Sequence, residues 1–441
     1  MTKKAGTALR KAALAAVLCG LAVGSARAQE AAPRNAAPVR WSLGDVLTTA
    51  LANHPVIGQA DAEVRAAEAR RGQVASARLP QLDATAAASM LESKSSVTGE
   101  YDTYNTSNVQ AEVTQLLTDF GRTRASVDQA GNLAAAAAQS ARWSRVEVAY
   151  NAAVAYFNVL RAVNLQGVSR ETVLQRETLQ KQAQAFFDAG VKARIDVARA
   201  DANFYQARAD ASGADHEVHT ARLVLLNQMG LDGPADFELV GAPEVAEAAG
   251  TTEEWIKEAE ENHPDIAALR LQLEAARNAR LAADRGNNPM IYADGRVGWS
   301  GTDDFPVDRA WSIAAKLSWP VFDGYLTRQK TAEAEAGVVA AEFALANRRR
   351  QVRLLVEQAS QSIKDATERL AARKKQREAF AENLRLATGR YEAGAADIIE
   401  MIDAQVQMTV AETNVVETRF DQALAVAALY RALGRLPQTG I

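Results

Sequence analysis

Apolar and polar positions divide this chain into stretches of two periods. Ile291, Ala293, Gly295, Val297 and Trp299 alternate with Tyr292, Asp294, Arg296, Gly298 and Ser300. After a loop over 301–309 the alternation resumes through Trp311, Ile313, Ala315, Leu317 and Trp319. A two-residue period puts these apolar side chains on one face of a strand. A weaker copy lies upstream in Leu82, Ala84, Ala86, Ala88 and Met90, then Val109, Ala111 and Val113. The pattern predicts two hairpins, 82–118 and 290–320, with strands of about ten residues, long enough to cross a bilayer when tilted.

Each hairpin gives way to a helical pattern. Within 317–324, Pro320 cannot donate to a ladder and Gly324 tolerates positive φ, so a strand stops there and a helix begins. The stretch 116–121 has the same grammar, with Gly121 matched to Gly324. Downstream, Val338, Ala341, Leu345, Val352, Leu355, Ala359, Ile363, Ala366 and Leu370 keep threes and fours, the spacing of a coiled-coil seam. The helices over 122–187 and 325–391 are each roughly 100 Å long. Shorter helices are predicted over 56–77, 195–228, 265–285 and 398–433, each pair stacking end to end alongside a long one.

These elements occur twice. Asn53, His54 and Pro55 recur as Asn262, His263 and Pro264 at a shift of 209 residues. Phe187, Asp188, Ala189 and Gly190 answer to Tyr391, Glu392, Ala393 and Gly394 at a shift of 204. The expected organisation is a first repeat over 29–230 with a tip turn at 187–196, then a Gly- and Pro-bearing linker over 231–250 that lies midway along the long helices. A second repeat follows over 251–436 with a tip turn at 391–400, and then a short tail, 437–441.

Composition changes this picture at the N-terminus. Residues 1–28 read as a secretory signal: Lys3, Lys4, Arg10 and Lys11, an apolar run over 12–23, then Ala26, Arg27 and Ala28 before Gln29. Cys19, the only cysteine, falls inside it, leaving the mature chain without thiol chemistry. Lipidation at Cys19 is the alternative, disfavoured because Leu18 stands where a small residue is expected. Removing the signal takes away five basic residues and no acidic one, so the formal net charge goes from −4 to −9, which argues against nucleic acid as a partner. Hydrophobic residues make up 48% of the chain but aromatics only 6%, because alanine dominates, and this suits long helices packed closely. No later stretch is apolar enough for a transmembrane helix, which leaves a β-barrel as the way into a membrane.

Trp299, Trp311 and Trp319 sit near strand ends on the apolar face, as in an interfacial girdle. The competing reading is a soluble sheet packed on a helix. Four strands cannot close a barrel, so a membrane barrel must be shared between subunits.

Nothing in the sequence assembles a catalytic constellation or implies a cofactor. Asp119, Phe120 and Gly121 mimic a kinase metal-binding tripeptide, but no phosphate loop accompanies them. His216 and His219 lack a third metal ligand and read as solvated. His54 and His263 precede prolines and are expected to cap or turn the start of a helix. Asp397, Glu400 and Asp403 are spaced i, i+3, i+6 on the helix leaving the second tip, forming either an ordinary acidic face or, where several copies surround an axis, carboxylate rings that favour cations.

The duplicated Asn-His-Pro segment, the strand exit at 317–324 and the tip turn Tyr391 to Gly394, with Glu400 and Asp403 beyond, together resemble the TolC-type outer membrane efflux protein family over 41–436. The resemblance implies a mainly α fold with membrane β: long helical hairpins forming a periplasmic α-barrel, and four strands per chain in a shared trimeric 12-stranded outer membrane β-barrel. It implies a homotrimer among outer membrane lipids, docked to a periplasmic adaptor and an inner membrane pump or ABC exporter. Such a duct serves efflux or type I secretion; a periplasmic coiled-coil adaptor or scaffold is the alternative. Glu400 and Asp403 fall where the family places constriction carboxylates, and Tyr391 and Asp196 match one family gate link. The arginine used by some relatives is Ala396 here, facing Ile195. Lys192 and Arg194 are therefore expected to hold the gate through salt bridges to the acidic second tip.

Overall fold

The computed structural model describes residues 39–94, 96, 99–241, 250–302 and 308–437. The expected signal with Cys19, the middle of the linker, part of the 301–309 loop and most of the C-terminal tail lie outside the described residues. From Arg40 onward the chain groups as one compact unit.

β1 (Val39–Trp41) leads into α1 (Leu43–Asn53) and α2 (Pro55–Ser76). The first hairpin is β2 (Gln81–Lys94) and β3 (Tyr101–Thr118), followed by α3 (Arg122–Asp188) and α4 (Arg194–Met229). β4 (Phe237–Leu239) pairs with β1. The second half runs α5 (Thr252–Asn262), α6 (Pro264–Asp284), β5 (Met290–Thr302), β6 (Asp308–Ser318), α7 (Leu326–Glu392) and α8 (Ile398–Ala432). α3 and α7 each have 67 residues, and their bounds are related by the 204-residue shift.

The four long strands form one antiparallel sheet ordered β2-β3-β5-β6, so β3 and β5 join the two halves. All four exceed the expected ten residues, β3 most of all at 18, because its alternation continues through the polar stretch from Tyr101 to Asn108. The register puts Val109 opposite Trp299 and Val297 opposite Trp311, so the apolar positions of neighbouring strands share one face.

The strand-to-helix junctions correct the expected match of Gly121 with Gly324. Positive φ falls on Phe120 (53°) and Gly121 (89°) in the first junction and on Gly324 (65°) and Tyr325 (70°) in the second. By conformation Gly324 answers Phe120, and Tyr325 answers Gly121. What repeats is the capping carboxylate. The Thr123 N–H donates to Asp119 Oδ2 at 2.6 Å, and the Thr327 N–H to Asp323 Oδ2 at 2.8 Å. Each satisfies one orphan donor in the first turn of a 67-residue helix. Burial works against the Asp119 charge, but the Thr123 hydroxyl and the N–H groups of Thr123 and Gly121 outweigh it and hold the carboxyl below its usual range.

The Asn-His-Pro corners have a matching explanation. His54 Nδ1 accepts the Val56 N–H at 3.3 Å, and His263 Nδ1 accepts the Asp265 N–H at 3.2 Å, so both histidines cap a helix whose first residue is proline. Each corner receives the glycine that ends its own half's last helix. A Cβ on Gly230 would lie 2.8 Å from the Asn53 carbonyl oxygen, and one on Gly434 would lie 2.5 Å from Pro264 Cδ.

Apolar burial forms three clusters along the helices. One centres on the middle of α3 with α1, Phe237 and Phe420. Here Tyr156 donates to the Val240 carbonyl at 2.9 Å, which holds the segment after β4 against the middle of α3. A second joins α5, α6, α7 and the end of α8, and a third lies at the helix tips.

Candidate functional site

The tips are held by packing more than by charge. Tyr391 is fully buried, with its ring edge-on to Phe186 at 5.7 Å, among Leu179, Ala183, Ala200, Ala396, Ile398 and Met401. Its hydroxyl is buried without a hydrogen-bond partner, and burial, then the charges of Asp196 and Asp397, push its pKa up. Asp196 is itself buried in the first turn of α4. Lys192 lies 5.5 Å over the Tyr391 ring and donates to the Ala396 carbonyl at 3.1 Å. The first tip therefore grips the second through a ring face and a carbonyl. Arg194 makes no hydrogen bond or ion pair among the described residues.

On the second tip Asp397 is the residue before α8, Glu400 lies in its first turn and Asp403 one turn on. Glu400 pairs with Arg390 of the same hairpin at 2.8 Å, both side chains being substantially exposed. Asp397 and Asp403 have no ion pair among the described residues. Sequence reasoning missed Arg176 of α3, which is buried against α8 and donates to Gln405 Oε1 at 2.5 Å and to the Ile402 carbonyl at 3.5 Å. Its burial lowers its pKa, and its acceptors are neutral. Its signal was weak, being one arginine among many on a long polar helix.

At the other end, Trp299, Trp311 and Trp319 are exposed on the apolar face of the sheet, and Trp319 Nε1 donates to the Asn287 carbonyl at 3.1 Å. The opposite face carries polar rows. Arg296 bonds Glu112 at 2.9 Å, and Thr114 bonds Asp294 at 3.1 Å. Pro320 lies two residues beyond β6, clear of the ladder. A Cβ on Gly324 would meet nothing within 4 Å, whereas one on Gly121 would lie 2.7 Å from Arg285, whose guanidinium bonds the Gly121 carbonyl. Gly121 is thus the more constrained of the two. No helix among the described residues is long and apolar enough to cross a membrane, and no metal-binding cluster is found among them.

Comparison with known proteins agrees with this geometry. The family model described as outer membrane efflux protein matches residues 46–231 and 255–435. The chain is 28% identical to outer membrane protein OprJ of Pseudomonas aeruginosa over 71% of its length and 67% of the relative's. It is 25% identical to outer membrane protein TolC of Vibrio cholerae, covering 66% and 68% of the two chains. The fold is similar to the outer membrane channel CmeC of Campylobacter jejuni, with TM-score 0.82 and 16% identity over 96% and 95% of the two chains.

Proposed function

The chain belongs to the outer membrane efflux protein family, and from that premise we propose that it works as a homotrimeric exit duct, closed at its helix tips. An inner membrane pump or ABC exporter drives the cargo, delivered through a periplasmic adaptor. The chain is an outer membrane channel protein with its helices on the periplasmic side. Its role is passive conduction: the wall strands supply a polar face and the helices a path, without a catalytic group. The reading treats 29–230 and 251–436 as two repeats joined through 231–250.

One observation carries the packing of one copy on the next, the contrast in burial between repeat mates. α3 packs between α2 and α6, and there Ala136 and Ala275 are each 2% exposed. Their mates, Ala340 on α7 and Ala66 on α2, are exposed. Likewise β2 and β6 are exposed along nearly their whole length, while β3 and β5 are paired on both edges. The uncovered faces of α2 and α7 are those whose mates the other half covers, so α7 of one copy packs on α2 of the next as α3 packs on α6. Three copies supply twelve strands and leave no edge. The Trp143–His263 ring contact of 4.6 Å then maps onto Asn347 against His54 of a second copy. Oxidation of an Asn347→Cys, His54→Cys double variant is expected to give covalent dimers and trimers on a non-reducing gel. Monomer alone would contradict the assembly.

The tip gate is the second part of the reading. Tyr391, Lys192 and Asp196 close it by packing, with Arg194, Asp397, Glu400 and Asp403 lining the mouth as the charges that cargo passes.

A further inference from the structure

The apolar face of the sheet carries one charge at a level where its neighbours are apolar or small. On β6 this face reads Leu317, Ala315, Ile313, Trp311 and then Arg309, and on β5 it reads Ile291, Ala293, Gly295, Val297 and Trp299. Arg309 stands directly opposite Trp299 in the ladder, and Trp311 is two residues along on the same face. Directly opposed residues lie about 5 Å apart at Cβ, so Arg309 shares this patch of the face with two indoles. Arg309 is exposed and has no hydrogen bond or ion pair among the described residues. Asp308, next to it in the strand, and Arg296, opposite Ser312 three residues along, fall on the polar face.

Its height matters. Trp319, at the helix end of the same strand, marks the inner rim, and Arg309 lies ten residues away, roughly 33 Å along a strand rising 3.3 Å per residue. With the usual barrel tilt of about 40°, that is roughly the 25 Å height of a barrel's apolar band. Arg309 is therefore the first charge above the hydrocarbon, on the side away from the helices and so at the outer leaflet. An arginine fork binds phosphate bidentately, and flanking indoles sit at headgroup level by preference.

We propose that Arg309, with Trp299 and Trp311, forms a lipid-facing site for a phosphate group of an outer-leaflet glycolipid, one per chain. The proposal rests on the sheet being outer membrane wall. It assigns this rim a binding role distinct from the conduction path on the opposite face.

The test uses detergent-extracted full-length protein incubated with purified lipopolysaccharide or with its dephosphorylated form, and bound lipid is counted by native mass spectrometry. Wild type is expected to retain about tenfold more of the phosphorylated form, the scale of a charge-assisted bidentate contact. Arg309→Gln loses this preference, and Arg309→Lys keeps part of it. Excess inorganic phosphate leaves the bound lipid in place, because the indoles and the acyl chains hold it too. Equal retention by Arg309→Gln, by a variant that elutes as the same oligomer as wild type, would overturn the site. So would equal binding of the dephosphorylated lipid, or displacement by inorganic phosphate. A wild-type protein soluble without detergent would remove the membrane reading itself, whereas a detergent-requiring one with no phosphate preference removes only this inference.

Discussion

His263 is the residue whose environment makes the clearest demand on solution conditions. It is buried against Trp143, and burial, then the Arg348 charge, bring its pKa down to about 4. The neutral ring is also what the cap needs, since Nδ1 accepts the Asp265 N–H. In the unfolded chain the ring titrates near its ordinary 6.5, so between that pH and about 4 the unfolded state binds the extra proton. Its share of stability is full above pH 6.5 and is lost on acidification towards 4, at up to ~1.4 kcal/mol per pH unit. Thermal melts in detergent should show this acid limb, and His263→Asn, which keeps a capping oxygen, should flatten it; an unchanged limb would mean the charge is accommodated. The corner glycines are the other demand of this kind. Gly230→Ala and Gly434→Ala each place a Cβ against the neighbouring corner in a left-handed backbone. The left-handed backbone costs about 1–2 kcal/mol at these two and at Gly324 alike, so the added clash is why both variants should lower the melting temperature more than Gly324→Ala, whose Cβ meets open space.

Among the elements, α3 and α8 share the seam that links the halves near the tips. Arg176 is buried there with only neutral acceptors, a charge that has given up water for one amide and one distant carbonyl. Removing the acceptor strands the charge, and breaking one side of a buried charged contact costs about 3–5 kcal/mol. Gln405→Leu should therefore loosen the seam and speed amide exchange in 398–409, while Arg176→Met, which removes the charge with its solvation cost, should not. Equal exchange in both variants would deny Arg176 this role.

Much at this scale was legible in the sequence. Alternation gave the strands, because one face meets apolar surroundings and the other does not. The helices declared their length because only alanine-rich, proline-free sequence lies between the junctions and the tips. The junction register was misread because glycine was matched to glycine, whereas the conserved feature of the two halves is Asp119 with Thr123 and Asp323 with Thr327. The tip contacts were unreadable for a different reason. Lys192 faces an acidic tip in sequence, but its reach and direction bring it to the Ala396 carbonyl and the Tyr391 ring.

For the whole molecule, the proposed closed duct rests on exposed faces that repeat symmetry can cover and on tips held by an apolar cluster around Tyr391. Because the Tyr391 hydroxyl has no partner, Tyr391→Phe should leave the closed state intact, while Tyr391→Ala removes the ring that Phe186 and Lys192 pack on. Single-channel conductance of the detergent-extracted protein in a planar bilayer, wild type beside Tyr391→Ala, tests the duct and its gate together. Small, discrete wild-type steps that become several-fold larger in Tyr391→Ala are the predicted result. A wild-type protein that conducts nothing, or a Tyr391→Ala variant with steps no larger than wild type, would contradict it.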